Sequence, residues 1–222
     1  PLLRACGAAE VITADTSVEY SPVTDGHESL SIYFWIGPSR HVMKGSRGTA
    51  VMTVNAQGIP AIRSTLTGQS AVPADVARVD PDLSAFQVPQ VATMANTPTF
   101  TVGGQAMVLS QYSFNLGNDV QQRLLIGREA ILIVDRVESI SARVEALPLT
   151  TYNPFQVSNS RTRQAVTLVH GTGAGRVATL AAPSCAMQRL TGYEQSQNIT
   201  EWPLMLNPLP VDGDDQWTLT LT

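Results

Sequence analysis

Apolar and polar residues alternate with a period of two along most of this chain, and that period predicts strands. Thr16–Tyr20 alternates into a turn at Ser21–His27, and Ser29–Ile36 follows, dense in β-branched and aromatic residues. Gly37-Pro38 turns the chain, Arg40–Lys44 reads as a short return strand, and Gly45–Gly48 as another turn before Thr49–Asn55. After the break at Gly58–Pro60, Ala61–Thr67 gives one more strand, closed by Gly68. Short strands with a turn every eight to twelve residues or so predict a sandwich or barrel.

The character changes between Gln69 and Pro98, where Pro73, Pro81, Pro89 and Pro98 punctuate the chain and only Ala74–Ala77 hints at helix. Proline removes ladder donors, so this stretch reads as an extended connector. Beyond it, Gln105–Leu116 is a long alternating strand ended by Gly117-Asn118. Asp119–Arg128 is polar enough for a loop or hairpin tip, followed by strands at Glu129–Val137 and Ser139–Leu147. Pro148–Arg161 is the helix candidate, with Thr151 placed to cap and Pro154 suited to a first turn. Ala165–Val169, Arg176–Ala182, Ala186–Leu190, Thr200–Leu206 and Gln216–Leu221 complete the pattern. The expected fold is mainly β, of sandwich or barrel type, with one short flanking helix and two sandwich-like halves. Residues 1–68 form the first β domain, 69–98 the connector and 99–222 the second. Ser29–Gly68 and Ala165–Leu206 share an order of strand, Gly turn, strand, Pro-bounded turn and strand, a faint internal echo.

Composition changes this picture in one respect. Only 14% of the residues are charged, against roughly 25% in ordinary soluble proteins. A monomer needs charge on its wet surface to stay apart from its neighbours, so a charge-poor chain points to a surface covered by other subunits. The net charge of −4 argues against tight binding to a phosphate backbone. Lys44 is the only lysine, the remaining cations being arginine, which suits interfaces because its planar fork pairs bidentately. No apolar run reaches about 18 residues, so no membrane-spanning helix is expected. Pro1 at the start, in place of methionine, points to a chain beginning inside a longer protein.

Sites of chemistry do not assemble along the sequence. Gly171–Gly175 (GTGAG) has the glycines of a phosphate loop but neither the following Lys-Ser/Thr nor a helix, and reads as a hairpin turn. His27, His41 and His170 lack ligand spacing for zinc. Ser184 lacks the frame of a nucleophile elbow, and no motif supports pairing Cys185 with His170. Asp212, Asp214 and Asp215 lack the spaced oxygens and closing Glu of a calcium loop, and read as a tight turn. Asn198-Ile199-Thr200 fits a glycosylation acceptor without a secretory signal, and Glu138 and Glu145 on one run show no groove for glycoside chemistry. No enzyme activity, cofactor or metal is expected.

What does stand out is an ordered set of short motifs. Leu2-Leu3-Arg4-Ala5-Cys6-Gly7 comes first, then Ser29–Phe34, Arg40-His41-Val42 and Gly45-Ser46-Arg47-Gly48-Thr49. Gly58-Ile59-Pro60 and Leu66-Thr67-Gly68 follow, then Asn96-Thr97-Pro98-Thr99-Phe100, Asn115-Leu116-Gly117-Asn118, Ile133-Val134-Asp135-Arg136 and Leu168-Val169-His170-Gly171-Thr172. In this order they resemble the tail tube proteins of siphophages and related prophages, over most of the chain. Trp35-Ile36-Gly37 departs from a more polar turn, and Tyr152–Arg163 is less clearly helical than that family's pattern.

The resemblance implies a virion protein of the phage tail, assembled in the host cytoplasm. Its β-sandwiches stand in rings whose inner strands join into one barrel, and the rings stack around a tape-measure protein. Further implied partners are the tail proteins at the two tube ends and DNA, which passes down the lumen without specific binding. The ring is either six copies or three copies of a two-domain chain with pseudo-sixfold symmetry. Gln105–Leu116, Glu129–Val137 and Ser139–Ala146 are the expected tube wall. Asp119, Gln121, Gln122, Arg123 and Arg128, with Pro81 and Pro89 of the connector, are the expected contacts between rings or subunits. Asp135, Glu138 and Glu145 are the expected lumen acids. Two other roles stay open: a terminator or distal ring protein of the tail, and a carbohydrate-binding sandwich.

Overall fold

The computed structural model describes residues 1–222, of which 54% lie in strands and 5% in helix. A single helical turn, α1 (Leu2–Ala5), leads into the hairpin of β1 (Ala8–Thr13) and β2 (Ser17–Pro22). β3 (Leu30–Ile36) and β4 (Ser39–Asn55) form a second hairpin, followed by β5 (Ala61–Ser70) and the two-residue β6 (Ala74–Asp75). After the connector come β7 (Thr99–Val102), β8 (Gln105–Ala106), β9 (Leu109–Asn115), β10 (Asn118–Leu125), β11 (Arg128–Arg136) and β12 (Ser139–Glu145). The helix α2 (Pro154–Ser160) precedes β13 (Gln164–His170), β14 (Ala178–Met187), β15 (Glu194–Ser196), β16 (Ile199–Pro208) and β17 (Thr218–Leu221).

The result is a mainly β, sandwich-like fold with a short helix. All pairings are antiparallel. One layer runs β5-β4-β9-β12-β16, and the other β7-β13-β14-β17-β2-β1. β14 belongs to both: Ala178–Ala182 pair with β13, Ala178–Ala181 with β17, and Cys185–Met187 with β16. Pro183 stands at the crossing, where the chain changes layers and no ladder donor is needed.

Alternation puts one side chain in two into the space between the layers. Met52 and Val54 of β4, Tyr112 and Phe114 of β9, Ile140 and Val144 of β12, and Trp202, Leu204 and Leu206 of β16 are buried from one side. Phe100, Val166, Leu168, Leu180 and Leu219 meet them from the other. Rings bridge the two layers edge to face, Phe114 on Trp217 at 5.5 Å between centroids and Phe100 on Tyr112 at 5.8 Å. These residues form a single core, and strands of the two expected halves share it, β4 beside β9 and β17 beside β2.

Several local expectations need correction. Gly45–Gly48 is no turn: β4 runs straight through for 17 residues, and Gly45, at φ +57°, lets it bulge where the pairing with β5 skips between Lys44 and Arg47. Of the two readings of Asp119–Arg128, loop or hairpin tip, the second holds: it covers most of β10, the tight turn at Ile126-Gly127 and the first residue of β11. The helix starts at Pro154 and is capped by Asn153, whose side chain accepts from Gln156 N–H at 3.0 Å. Thr151 instead belongs to a turn in which its own N–H donates to the Pro148 carbonyl. Ala74–Ala77 gives an edge strand of two residues in place of a helical turn.

Candidate functional site

Two hairpins run out of the sandwich, and their roots are built from the motifs noted in the sequence. The first is a continuation: β9 and β12 pair from Asn115 opposite Ser139, and β10 and β11 continue the same hairpin from Asn118 opposite Arg136. Between them Gly117, at φ +62°, makes the kink, and a Cβ there would collide with the Val137 carbonyl. Asn118 fixes the bend, donating from its side-chain amide to the carbonyls of Cys6 at 2.6 Å and Gly48 at 2.9 Å. Arg136, on the opposite strand, donates to the Val23 carbonyl at 2.9 Å, and pairs with Asp214 at 2.5 Å and Glu138 at 3.2 Å.

The second ribbon is β3 with the first half of β4. Arg47 ties it to the first, donating to the carbonyls of Ile131 on β11 at 2.6 Å, and of Glu28 at 3.1 Å and His27 at 2.5 Å ahead of β3. Arg47, Asn118 and Arg136 are thus three polar clamps on one root. The motifs Leu2–Gly7, Gly45–Thr49, Asn115–Asn118 and Ile133–Arg136 meet there. A separate junction joins two more: Thr97 Oγ1 and His170 Nδ1 lie 3.0 Å apart, and Gly171 N–H donates to the Asn96 carbonyl at 2.6 Å.

Beyond the root, the ribbons are unlike anything in the sandwich. Cross-strand partners share a face, so Ile32 and Phe34 lie with Met43 and His41, and Tyr33 and Trp35 with Val42 and Arg40. Both faces of this ribbon are therefore apolar, with Tyr33 at 54% and Ile36 at 64% exposure, and β6 and the end of β5 border β4 on its other side. The Trp35 indole donates to the Val76 carbonyl at 3.0 Å, which pins the start of the connector beside this ribbon. On the other ribbon, Val120, Gln122, Leu124, Glu129, Ile131 and Ile133 share a face. Ile131 is buried against the body, whereas Leu124, Leu125 and Ile126 at the tip are exposed. β10 and β11 form a separate two-stranded sheet, so each keeps one unpaired edge, as does β3. Isolated two-stranded ribbons with open edges are marginal in water and invite pairing with another chain.

The residues expected to make subunit contacts fall on these exposed parts. Asp119, Gln121, Gln122, Arg123 and Arg128 are exposed along β10 and its turn, and Pro81 and Pro89 are exposed on the connector. The wall assignment needs correction for two strands: β9 lies between β12 and β4, and β12 between β9 and β16, so neither has an edge left for a neighbour. Only β11, from Glu129 to Arg136, lies in a free ribbon. The three acids do not share a surface. Asp135 is exposed and faces Asp119 across the ribbon root, while Glu145 is half-buried at the far end of β12. Glu138 is withdrawn as a lumen acid, because it is 6% exposed and packed against Arg136. Burial holds its carboxyl above the usual range. The clamps and the apolar ribbon faces were not picked out from the sequence; for Arg47 and Asn118, a polar residue beside glycine inside a strand pattern was the available signal, and Arg136 has none.

The candidates for chemistry stay apart. Ser184 Oγ accepts from Arg163 at 3.1 Å, Cys185 donates to the Ala182 carbonyl, and His170 is bound to Thr97. Burial pushes the Cys6 thiol up to about 11 and the Cys185 thiol to about 12. Gly171–Gly175 joins β13 to β14, so its amides meet no helix N-terminus. Asp215 accepts from the N–H groups of Val211 and Asp212, closing a turn.

No protein-family model matches this chain, and no curated protein matches its sequence.

Proposed function

We propose that this chain is a structural protein that polymerises through its two ribbons into stacked rings, forming the tube of a long, non-contractile phage tail. The observation that carries this is the pair of ribbons themselves: open edges on β3, β10 and β11 and uncovered apolar faces, clamped side by side onto one root of the sandwich. Edge-to-edge pairing with neighbouring copies satisfies the open edges.

Strand arithmetic favours six copies. Four strands at about 4.8 Å each give about 19 Å of wall per copy. Six copies give about 115 Å of circumference, or about 37 Å between opposite backbones, a barrel larger than the roughly 22 strands of outer-membrane transporters. Three copies would supply about 12 strands, fewer than the roughly 16–18 of a porin channel, too few for a duplex to pass. Exposed charge on the first ribbon is mixed, with Asp119 and Asp135 at its root and Arg123, Arg128 and Glu129 near its tip. A wall of such ribbons carries no continuous row of cations to hold DNA phosphates. In this role the partners are other copies of the chain, a tape-measure protein inside, terminal tail proteins at the ends, and DNA in transit.

The test is negative-stain microscopy of the concentrated protein beside a variant in which 119–135 is replaced by an Asn-Gly turn, keeping the Asn118 and Arg136 clamps. Tubes from the parent and a folded, non-assembling variant are expected. Tubes from the variant overturn the ribbon role. Single rings from the parent move the reading to a terminator or distal ring protein, and a persistent monomer removes polymerisation altogether.

A further inference from the structure

We infer that the tip of the first ribbon seats in an apolar groove at the far end of the sandwich of a copy in the next ring. This deepens the assembly reading above and rests on it: the ribbon edges build each ring, and the tip and groove join one ring to another.

The groove lies at the end of the sandwich opposite the ribbon roots, where β4 ends, β9 begins and the connector returns at Ala92. It has a volume of about 320 Å³ and is lined by Val54, Ala92, Met94, Phe100, Met107 and Leu109, among residues of which none is charged. Phe100 and Met107 are buried at its floor, while Met94 is 94% exposed at its rim. Unbranched methionines let such a wall adapt to an incoming side chain.

The tip is the turn at Ile126-Gly127 with Leu124 and Leu125 before it, and all three apolar side chains are exposed. A copy cannot place this tip in its own groove. Leu124 and Gly68–Ser70 line one hollow beside the ribbon, and Ser70 pairs with Met43 of β4. From Met43 to Val54 that strand runs about 36 Å, which separates the tip from the groove. The connector leaves the groove open as well. Its anchors, Val76 on the Pro38 carbonyl and Ala92 on the Gly58 carbonyl, lie at opposite ends of β4, and Phe86 and Val88 between them are exposed.

A projection at one end and a recess at the other fit when one copy is shifted along the axis onto the next. Such a heterologous contact does not close on itself and so repeats without limit. Charge agrees with this pairing. Arg123 and Arg128 flank the tip, and neither is in an ion pair within its own chain. Glu145, also without an ion pair, adjoins the groove, its N–H donating to the carbonyl of the wall residue Val108 at 3.0 Å. Opposite charges around an apolar contact steer the encounter and fix its register.

Cysteine cross-linking tests this in the full chain. Chains carrying Ile126→Cys are mixed with chains carrying Met94→Cys, both at exposed positions, and oxidised under assembly conditions. The linked dimer is expected to form about tenfold faster than with a Thr16→Cys partner, because docking raises the effective concentration. Equal rates overturn the inference. Under the microscope Ile126→Asp, which sets a charge into the apolar groove, is expected to give single rings without tubes. Tubes from that variant overturn the inference, as does loss of rings together with tubes, which places the tip in the ring contact itself. A fast link from chains that form no tubes keeps the docking and removes the tube reading; tubes with equal linking rates do the reverse.

Discussion

Phe114 and Phe34 sit in strands of similar composition, and their surroundings differ completely. Phe114 is fully buried between layers, with Trp217 against its ring. Phe34 is 45% exposed, stacked only on His41 of the neighbouring strand. The sandwich buries one face of each strand against a second layer, whereas the ribbons have no second layer inside the chain. Apolar alternation specifies a strand in both places, and what covers that strand is a separate question.

Removing equal apolar groups from the two regions gives the largest contrast. Phe114→Ala is expected to lower unfolding free energy by about 4 kcal/mol in urea titrations, since it leaves a cavity under Trp217. Leu124→Ala, at 59% exposure on the ribbon, is expected to change it by less than about 0.5 kcal/mol. A ribbon loss as large as the core loss would show that the ribbon is already covered within the monomer.

The clamp between the regions comes next. Arg136→Ala leaves Glu138 buried without its partner and frees the Val23 carbonyl, at an expected cost of about 3 kcal/mol. Adding Glu138→Gln is expected to recover part of this, since the neutral amide tolerates burial. No recovery in the double variant would mean that Arg136 acts through its other contacts alone.

The smallest effect is on pH dependence. Partial burial pushes the Asp214 carboxyl up, but the Thr24 and Arg136 hydrogen bonds outweigh it and leave the group below the usual range. A depressed carboxyl contributes stability above its ordinary value, near about 3.9, which is lost as pH falls through the folded value. Asp214→Asn should therefore lower the melting temperature slightly at neutral pH, and the two curves should converge in strong acid. Curves that stay parallel to low pH would assign the effect to packing.

How far these features could be read in advance follows from their range. Strands such as β9 and β12 were visible because alternation is local. The proline-punctuated connector was visible for the same reason. The bulge at Gly45 was read as a turn because glycine serves both, and only the long-range partner β5 decides between them. Asp119–Arg128 reads as a loop or a hairpin tip alike, since a ribbon with no covered outer face has no apolar period to show. Glu138 looked like a surface acid because its burial comes from segments distant in sequence that close over the root, with Arg136 held there by Val23 and Asp214. The clamps at Arg47 and Asn118 bind carbonyls from distant segments, which leave no trace in side-chain pattern.

The crossing strand has a mechanical side. β10 and β11 continue β9 and β12 past the kink at Gly117, so a tug on the ribbon tip passes through the root into the ladders of β9 and β12. β16 takes up that load, and β14, bonded to both layers on either side of Pro183, passes it across to β13 and β17. The molecule resists sliding of one layer over the other through backbone bonds as well as through its greasy interior.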